Sequence, residues 1–484
     1  MPRAAAPDEP SVEPLQPPGI ELHSIDHIPA SERHGTVRQL GALWFVSNVN
    51  LTGLATGVTT SSAGAGLAWT LLATILGSVF GTFFMAFHSA QGPQLGLPQL
   101  VQSRPQFGYV GAALTVWVFA FVNYVAFNTS DAILSGDALH ALAGIEPDVG
   151  YALSATVAAG VAICGYHWIH RVNRWLAGPL LIVMLGLSLA ALRSPPLPPE
   201  AWSPGPFRLG PFMTVFAIVA GFQLGWAPYV SDYSRYLPAD VGVRSTFWWT
   251  YLPSALSAIW VFGVGAVLAA AATPGQSPVE TCLAIGDGLW PGFGTLAVVL
   301  LFAGLLAVMA INQYGGMMSL ISIVDSLRPV RPTRGLRVAG IITMFALVWA
   351  AARLVGVERF TAFYANVLIF IGYLFTPWTA INLVDYFFVR RGLYSIREMF
   401  RPDGIYGRWG WRGQAAYALA IAAMVPFMVT TPYTGPAARA LGGIDATLFV
   451  GLAVAATTYR LLCRSLDLES ERRIVAAEGL VHPH

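Results

Sequence analysis

Apolar runs of about 18 to 30 residues recur along this chain from residue 36 to residue 465, and about twelve of them are long enough to cross a bilayer as helices. No other feature restricts the fold so strongly. Of 484 residues 55% are hydrophobic and only 11% charged, and the mean hydropathy is +0.59, far from a water-soluble domain of this length. The chain reads as an all-α integral membrane protein with one large transmembrane domain over residues 36–465. The expected spans lie near 36–60, 67–88, 108–138, 149–167, 173–193, 210–235, 245–272, 293–324, 336–353, 360–389, 415–431 and 442–463.

The flanks differ from this core. Residues 1–35 are polar and Pro-rich, lack the charged start and apolar centre of a secretory signal, and read as a disordered cytosolic tail. Residues 466–484 form a short charged tail. Net charge is only +2, but the chain has no Lys, so all 27 basic residues are Arg and their placement carries the orientation. With a cytosolic N-terminus and twelve spans, 22 Arg fall inside and five (Arg193, Arg208, Arg353, Arg359, Arg439) outside. The reverse orientation inverts that bias, so both termini are expected in the cytosol and the host is expected to be the cytoplasmic membrane. Cys164, Cys282 and Cys463 are far apart and without metal spacing; they read as small buried hydrophobes.

Between the second and third spans lies QGPQLGLPQLVQSRPQFGYVG, too broken by Gly and Pro for a crossing helix and too apolar for a free loop, which points to a cytosolic re-entrant or capping segment. The first and sixth spans share polar residues near mid-depth, in WFVSNVNLTG and GFQLGWAPYVSD. An offset of five spans reverses the direction of entry, which is the pattern of an inverted-topology repeat. In the second stretch Pro228 removes a backbone donor and disfavours helix at Ala227, and Gly221 and Gly225 lower the cost of leaving it. The alternative is a Pro kink with small residues for close packing.

Both GPQLGLPQLVQSRPQFGYVG and GWAPYVSDYSRYLP resemble the purine-cytosine permease family of nucleobase:cation symporters, and the similarity runs from about residue 36 to residue 463. The resemblance implies about twelve transmembrane helices, built as a LeuT-like five-plus-five inverted repeat of the APC superfamily with two further C-terminal helices. It also implies broken helices 1 and 6 and a small heterocyclic substrate. Carried over by position, the third-helix aromatic and amide are Tyr124 and Asn128, one turn apart on one face. There a ring stacks on a planar heterocycle and an amide offers a donor and an acceptor to its edge. The sixth-helix pair is Phe222 and Gln223. The eighth-helix Asn pair keeps Asn312 but has Val308 at its first position. Ser47 on the first helix completes the substrate set, at a mid-helix depth shared with Asn128, Gln223 and Asn312. A lone amide at such depth also serves as interhelical glue.

In sodium-coupled members of the family the ion is held by first-helix carbonyls and eighth-helix hydroxyls; the matching positions here are Leu306 and Ala307, without hydroxyls. A proton is therefore expected over Na+. The acidic candidates are Asp131, Asp137, Asp232 and Asp325, with Asp131, one turn beyond Asn128, either the coupling group or a buried hydrogen-bond anchor. Asp232 beside Arg235 marks the cytosolic end of the sixth helix as a gate or a structural pair, and Asp325 near Arg328 reads the same way. His88 sits at a predicted helix end, and His167 and His170 share a basic turn with Arg171 and Arg174. No HExxH, GxSxG or P-loop occurs, so neither hydrolysis nor nucleotide use, and no cofactor, metal or nucleic-acid partner, is expected.

The sequence thus points to import of a nucleobase, cytosine or a purine foremost, with a cation by alternating access. Hydantoin, allantoin or a vitamin-precursor heterocycle is the alternative substrate. A membrane enzyme lacks a catalytic constellation, a channel would want repeated pore-lining rings, and a sensor would want a signalling domain.

Overall fold

In lipid each backbone N–H and C=O must find a partner within the protein, so long apolar segments become helices. The computed structural model describes residues 26–478 except 165, 194–196, 274, 329 and 331–332, and leaves the side chains of 164–174 undescribed; Cys164, His167, His170, Arg171 and Arg174 thus fall outside the described side chains. Among the described residues eight helices are long and apolar enough to cross a membrane, from Leu67–Leu95 to Val357–Val389. The expected first span is instead two 11-residue helices, Arg38–Asn48 and Leu51–Ser61. The expected fourth, eleventh and twelfth spans appear as Pro147–Cys164, Trp411–Met424 and Thr447–Leu462.

The helices pack in two groups of four. In one, Val243–Ala271 lies against Leu67–Leu95 and against both halves of the broken first helix, and Leu67–Leu95 packs on Leu209–Leu224. In the other, Val118–Ala143, Pro147–Cys164, Phe293–Leu327 and Arg334–Val355 pack on one another. Phe360–Val384 runs beside the first group and joins Trp411–Met424 and Thr447–Leu462. Inside the first group two backbones touch: a Cβ on Gly57 would lie 2.0 Å from the Phe262 carbonyl oxygen, and one on Gly265 would lie 2.2 Å from that of Leu54. Gly221, read from the sequence as a helix breaker, sits inside the intact Leu209–Leu224 helix. An added Cβ there would fall 2.1 Å from the Leu368 carbonyl oxygen, so its smallness serves close helix approach.

Leu67–Leu95 continues seven residues past the expected end at 88, so His88 is not terminal but fully buried. It is bonded to Thr379 at 2.7 Å and Gln99 at 3.1 Å and stacked on Trp378. The 91–111 segment folds as the end of that helix, an αL turn at Gly96 and the short helix Arg104–Phe107, almost all of it buried. A helix not anticipated, Pro278–Asp287, opens with a capping box in which Ser277 and Glu280 satisfy each other's backbone N–H.

Both flanks dock on the same end of the molecule, called the inner end below. Residues 1–25 of the expected tail lie outside the described residues. Residues 26–35 are not free: Ile28 is buried, Arg33 donates to the Pro93 carbonyl at 2.7 Å, and the His34 N–H donates to the Tyr236 carbonyl at 2.7 Å. At the C-terminus the Leu468–Ala477 helix is held by a bidentate pair between Glu471 and Arg390, at 2.8 and 3.0 Å. Arg390 in turn donates to fully buried Asp385, which also accepts from Gln106, Tyr394 and Tyr459.

Candidate functional site

The first helix stops at Asn48 and resumes at Leu51, with Val49 and Asn50 in non-helical backbone between them. Asn50 repairs both sides of the gap: its Oδ1 accepts from the Gly53 N–H at 2.9 Å and its Nδ2 donates to the Ser47 carbonyl at 2.8 Å. The sixth helix ends at Leu224, turns through Ala227–Tyr229, and resumes as Val230–Ser234. Pro228 has no N–H for the carbonyl four residues back. The Tyr229 N–H goes to Trp226 at 3.2 Å rather than to Gly225, and the Gly225 carbonyl instead accepts from Asn123 Nδ2 at 3.4 Å.

Between the two breaks, where the two groups of helices meet, lies a cavity of about 10 Å³. Its walls are Ser47, Asn50, Thr52, Phe222, Trp226 and Tyr229 from the first group and Phe127, Asp131, Val308 and Asn312 from the second. It has room for about one water as it stands. Asp131, fully buried, accepts from the Thr52 hydroxyl at 2.5 Å and from Asn312 Nδ2 at 3.3 Å, so its carboxylate bridges the two groups through two neutral donors. Because Asn312 directs its N–H to Asp131 and Ser47 directs its hydroxyl to the Leu43 carbonyl at 2.7 Å, both present acceptor lone pairs beside the cavity. The aromatic wall is edge-on: Phe222 meets Phe127 at 5.6 Å and Phe262 at 4.9 Å.

Three residues expected at the ligand are not in the wall of this cavity. Tyr124 stacks on Tyr229 at 4.6 Å and closes over Gly315, where an added Cβ would lie 2.4 Å from its ring. Asn128, in the amide orientation that satisfies its neighbours, donates to the Met309 carbonyl at 3.3 Å and accepts from the Gln313 N–H at 3.2 Å, tying the third helix to the eighth. Gln223 donates to the Ser254 carbonyl at 3.2 Å, the same carbonyl that Asn48 reaches at 3.0 Å, so both broken helices hang on one atom of Val243–Ala271. Asp232 accepts from the Gln99 N–H at 2.9 Å and Arg235 donates to the Asp26 carbonyl at 3.2 Å; the two bind the inner-end segments on either side of the sixth helix. Asp325 accepts from the Val330 N–H at 3.1 Å and the Tyr109 hydroxyl at 3.4 Å.

Asn50, Thr52, Trp226 and Tyr229 were not singled out from the sequence, although they lie in the two polar stretches that were. A break shifts the helical phase, so spacing from the upstream residues does not tell which side chains turn inward.

A family model described as a permease for cytosine/purines, uracil, thiamine and allantoin matches residues 27–451. The chain belongs to this family. It is 35% identical over 450 residues to the YxlA protein of Bacillus subtilis, covering 92% of this chain and 96% of that one. It is 27% identical over 463 residues to the purine-cytosine permease fcyB of Emericella nidulans, covering 92% and 88%. Among solved structures it is similar to a nucleobase-cation-symport-1 family transporter in a closed conformation with bromovinylhydantoin bound. That match has a TM-score of 0.74 at 18% identity and covers 95% of this chain and 99% of that one. The likeness establishes the fold, and the chain is a multi-pass membrane transporter by family and by its apolar helices.

Proposed function

We propose that this chain is a secondary transporter that imports a nucleobase or related heterocycle, cytosine or a purine foremost, across the cytoplasmic membrane together with a proton. The observation that carries the reading is the cavity between the two four-helix groups, with both helix breaks and a buried carboxylate in its wall. A cavity of about 10 Å³ admits a planar ring only when the groups part, which is what alternating access requires. Breaks in the first helix and, five spans later, in the sixth support the inverted repeat, with twelve spans in all over residues 36–465. Arg sidedness supports cytosolic placement of both termini and of the flanks 1–35 and 466–484.

Asn312 and Ser47 hold the polar edge of the ring, Thr52 lies beside it, and Phe222 with Trp226 covers its face. Asp131 carries the coupling proton: it is fully buried, and the groups that donate to it, on Thr52 and Asn312, are neutral. Leu306 and Ala307 offer no hydroxyl to Na+. Tyr124, Asn128 and Gln223 act as positioning residues, and Asp232 and Arg235 as the inner-end anchor of the sixth helix. The test is uptake by cells expressing the chain, with radiolabelled cytosine, adenine, hypoxanthine, uracil, allantoin and hydantoin. Accumulation that survives removal of Na+ and collapses with a protonophore is expected. Uptake of none would overturn the transport reading, and a strict need for Na+ would overturn the coupling assignment.

A further inference from the structure

The third helix runs outward from Tyr109, whose N–H bonds to Gly407 at the inner end, so Asn123 lies about 12 Å inward of Asp131 along it. The sixth helix runs the other way, and Tyr229 follows Phe222 toward the same end. Here Asn123 Nδ2 donates to the Tyr229 hydroxyl at 2.7 Å and approaches the Gly225 carbonyl at 3.4 Å. Beside that bond the rings of Tyr124 and Tyr229 stack at 4.6 Å with 26° between planes. Asn123 and Tyr229 are both buried, and Tyr229 belongs to the cavity wall.

Resting on the transport reading, we propose that Asn123 is a positioning residue that latches the inner side of the cavity. It links the second helix group to the first at the carbonyl that the sixth-helix break leaves over, and it holds Tyr229 as the inner wall. Release toward the inner end parts the two groups, so this bond and the Tyr124–Tyr229 stack must separate together. The Thr52–Asp131 bond lies further out on the same interface, so the latch and the carboxylate occupy different depths.

Loss of one such hydrogen bond shifts the balance between inner-closed and inner-open states by about five-fold. A state open inward is not competent for ligand arriving from outside. Asn123→Ala is therefore expected to raise KM for uptake into cells, by at most about five-fold, and to lower KM in inside-out vesicles, with the panel compound that the wild-type chain accumulates fastest as probe. Tyr229→Phe keeps the ring stack and the Asn123–Gly225 contact, removes the 2.7 Å bond with less disturbance to folding, and should shift both KM values in the same directions. The double variant should be no worse than Asn123→Ala alone. A merely structural Asn123 would lower maximal rate with the amount of folded protein and leave both KM values in place. Unchanged KM in both directions, or single effects that multiply in the double variant, would overturn the latch while the transport reading stands. Absence of accumulation by the wild-type chain would overturn the transport reading, and the latch with it.

Discussion

Replacing Asp131 by Asn separates coupling from binding. The carboxylate accepts from Thr52 at 2.5 Å and from Asn312 at 3.3 Å. The substituted amide keeps the shape and one acceptor, so the Thr52 bond survives, but its NH2 then faces the Asn312 NH2 and one buried donor loses its partner. That costs about 1 to 3 kcal/mol, within the typical stability of about 5 to 15 kcal/mol, so folded protein is expected. The functional loss is larger. One proton moving through 100 mV supplies about 2.3 kcal/mol, or an accumulation ratio of about 50. An amide cannot take up or release that proton. Proteoliposomes carrying Asp131→Asn should therefore exchange internal for external labelled substrate at a rate comparable to wild type. Under an imposed pH gradient or potential they should equilibrate without accumulating. Accumulation at the wild-type ratio would refute the coupling role. Loss of exchange together with accumulation would show that the carboxylate acts as a ligand contact or anchor and not as the coupling group.

The remaining predictions follow from other contacts. Asn312→Ala should raise the substrate KM at least ten-fold, whereas Gln223→Ala, which leaves Asn48 on the Ser254 carbonyl, should lower thermal stability by about 1 kcal/mol with a smaller KM change, read by uptake and by unfolding in detergent. Asp385→Ala takes from buried Arg390 one of its two carboxylate partners and leaves three further donors without their acceptor, and should cost about 3 to 5 kcal/mol, while Glu471→Gln, which leaves the Asp385–Arg390 pair intact, should cost less and release the C-terminal helix to limited proteolysis. Burial, and after it the Arg33 guanidinium, hold the His27 imidazole below its ordinary range, and Arg33 NH2 lies 3.1 Å from its Nε2. A lowered folded-state value means the contribution is present above the unfolded pKa of about 6.5 and is lost as pH falls through the folded one. Protease protection of residues 26–35 should therefore weaken on acidification below about pH 6, and His27→Gln should remove the dependence.

Eight of the expected spans were legible, as the eight long apolar helices among the described residues, because twenty-odd apolar residues in a row favour a helix in lipid. The sixth-helix break was legible because a missing N–H at Pro228 is a local fact. What escaped was direction. Tyr124 and Asn128 do share a helix face, as their spacing requires, but spacing is silent on whether a substrate, Tyr229 or the Met309 carbonyl fills the space opposite. Gly221 shows the same limit: breaker and close-packing glycine are identical in sequence, and the distance to Leu368 decides. The docking of residues 26–35 and of the Leu468–Ala477 helix depends on contacts 60 and 81 positions away, Arg33 to Pro93 and Arg390 to Glu471, which no local window contains.

At Gly57 and Gly265 the outer half of the broken first helix and the Val243–Ala271 helix touch backbone to backbone. Side chains are the compliant layer in most helix pairs, since they absorb small displacements by changing rotamer. Here that layer is missing, so the two helices act as bonded laminae, a single beam stiffer than either alone. A displacement imposed at Thr52, in the cavity wall, then passes to Val243–Ala271 without slack, and a methyl group added at either glycine would act as a wedge that lets the laminae slide.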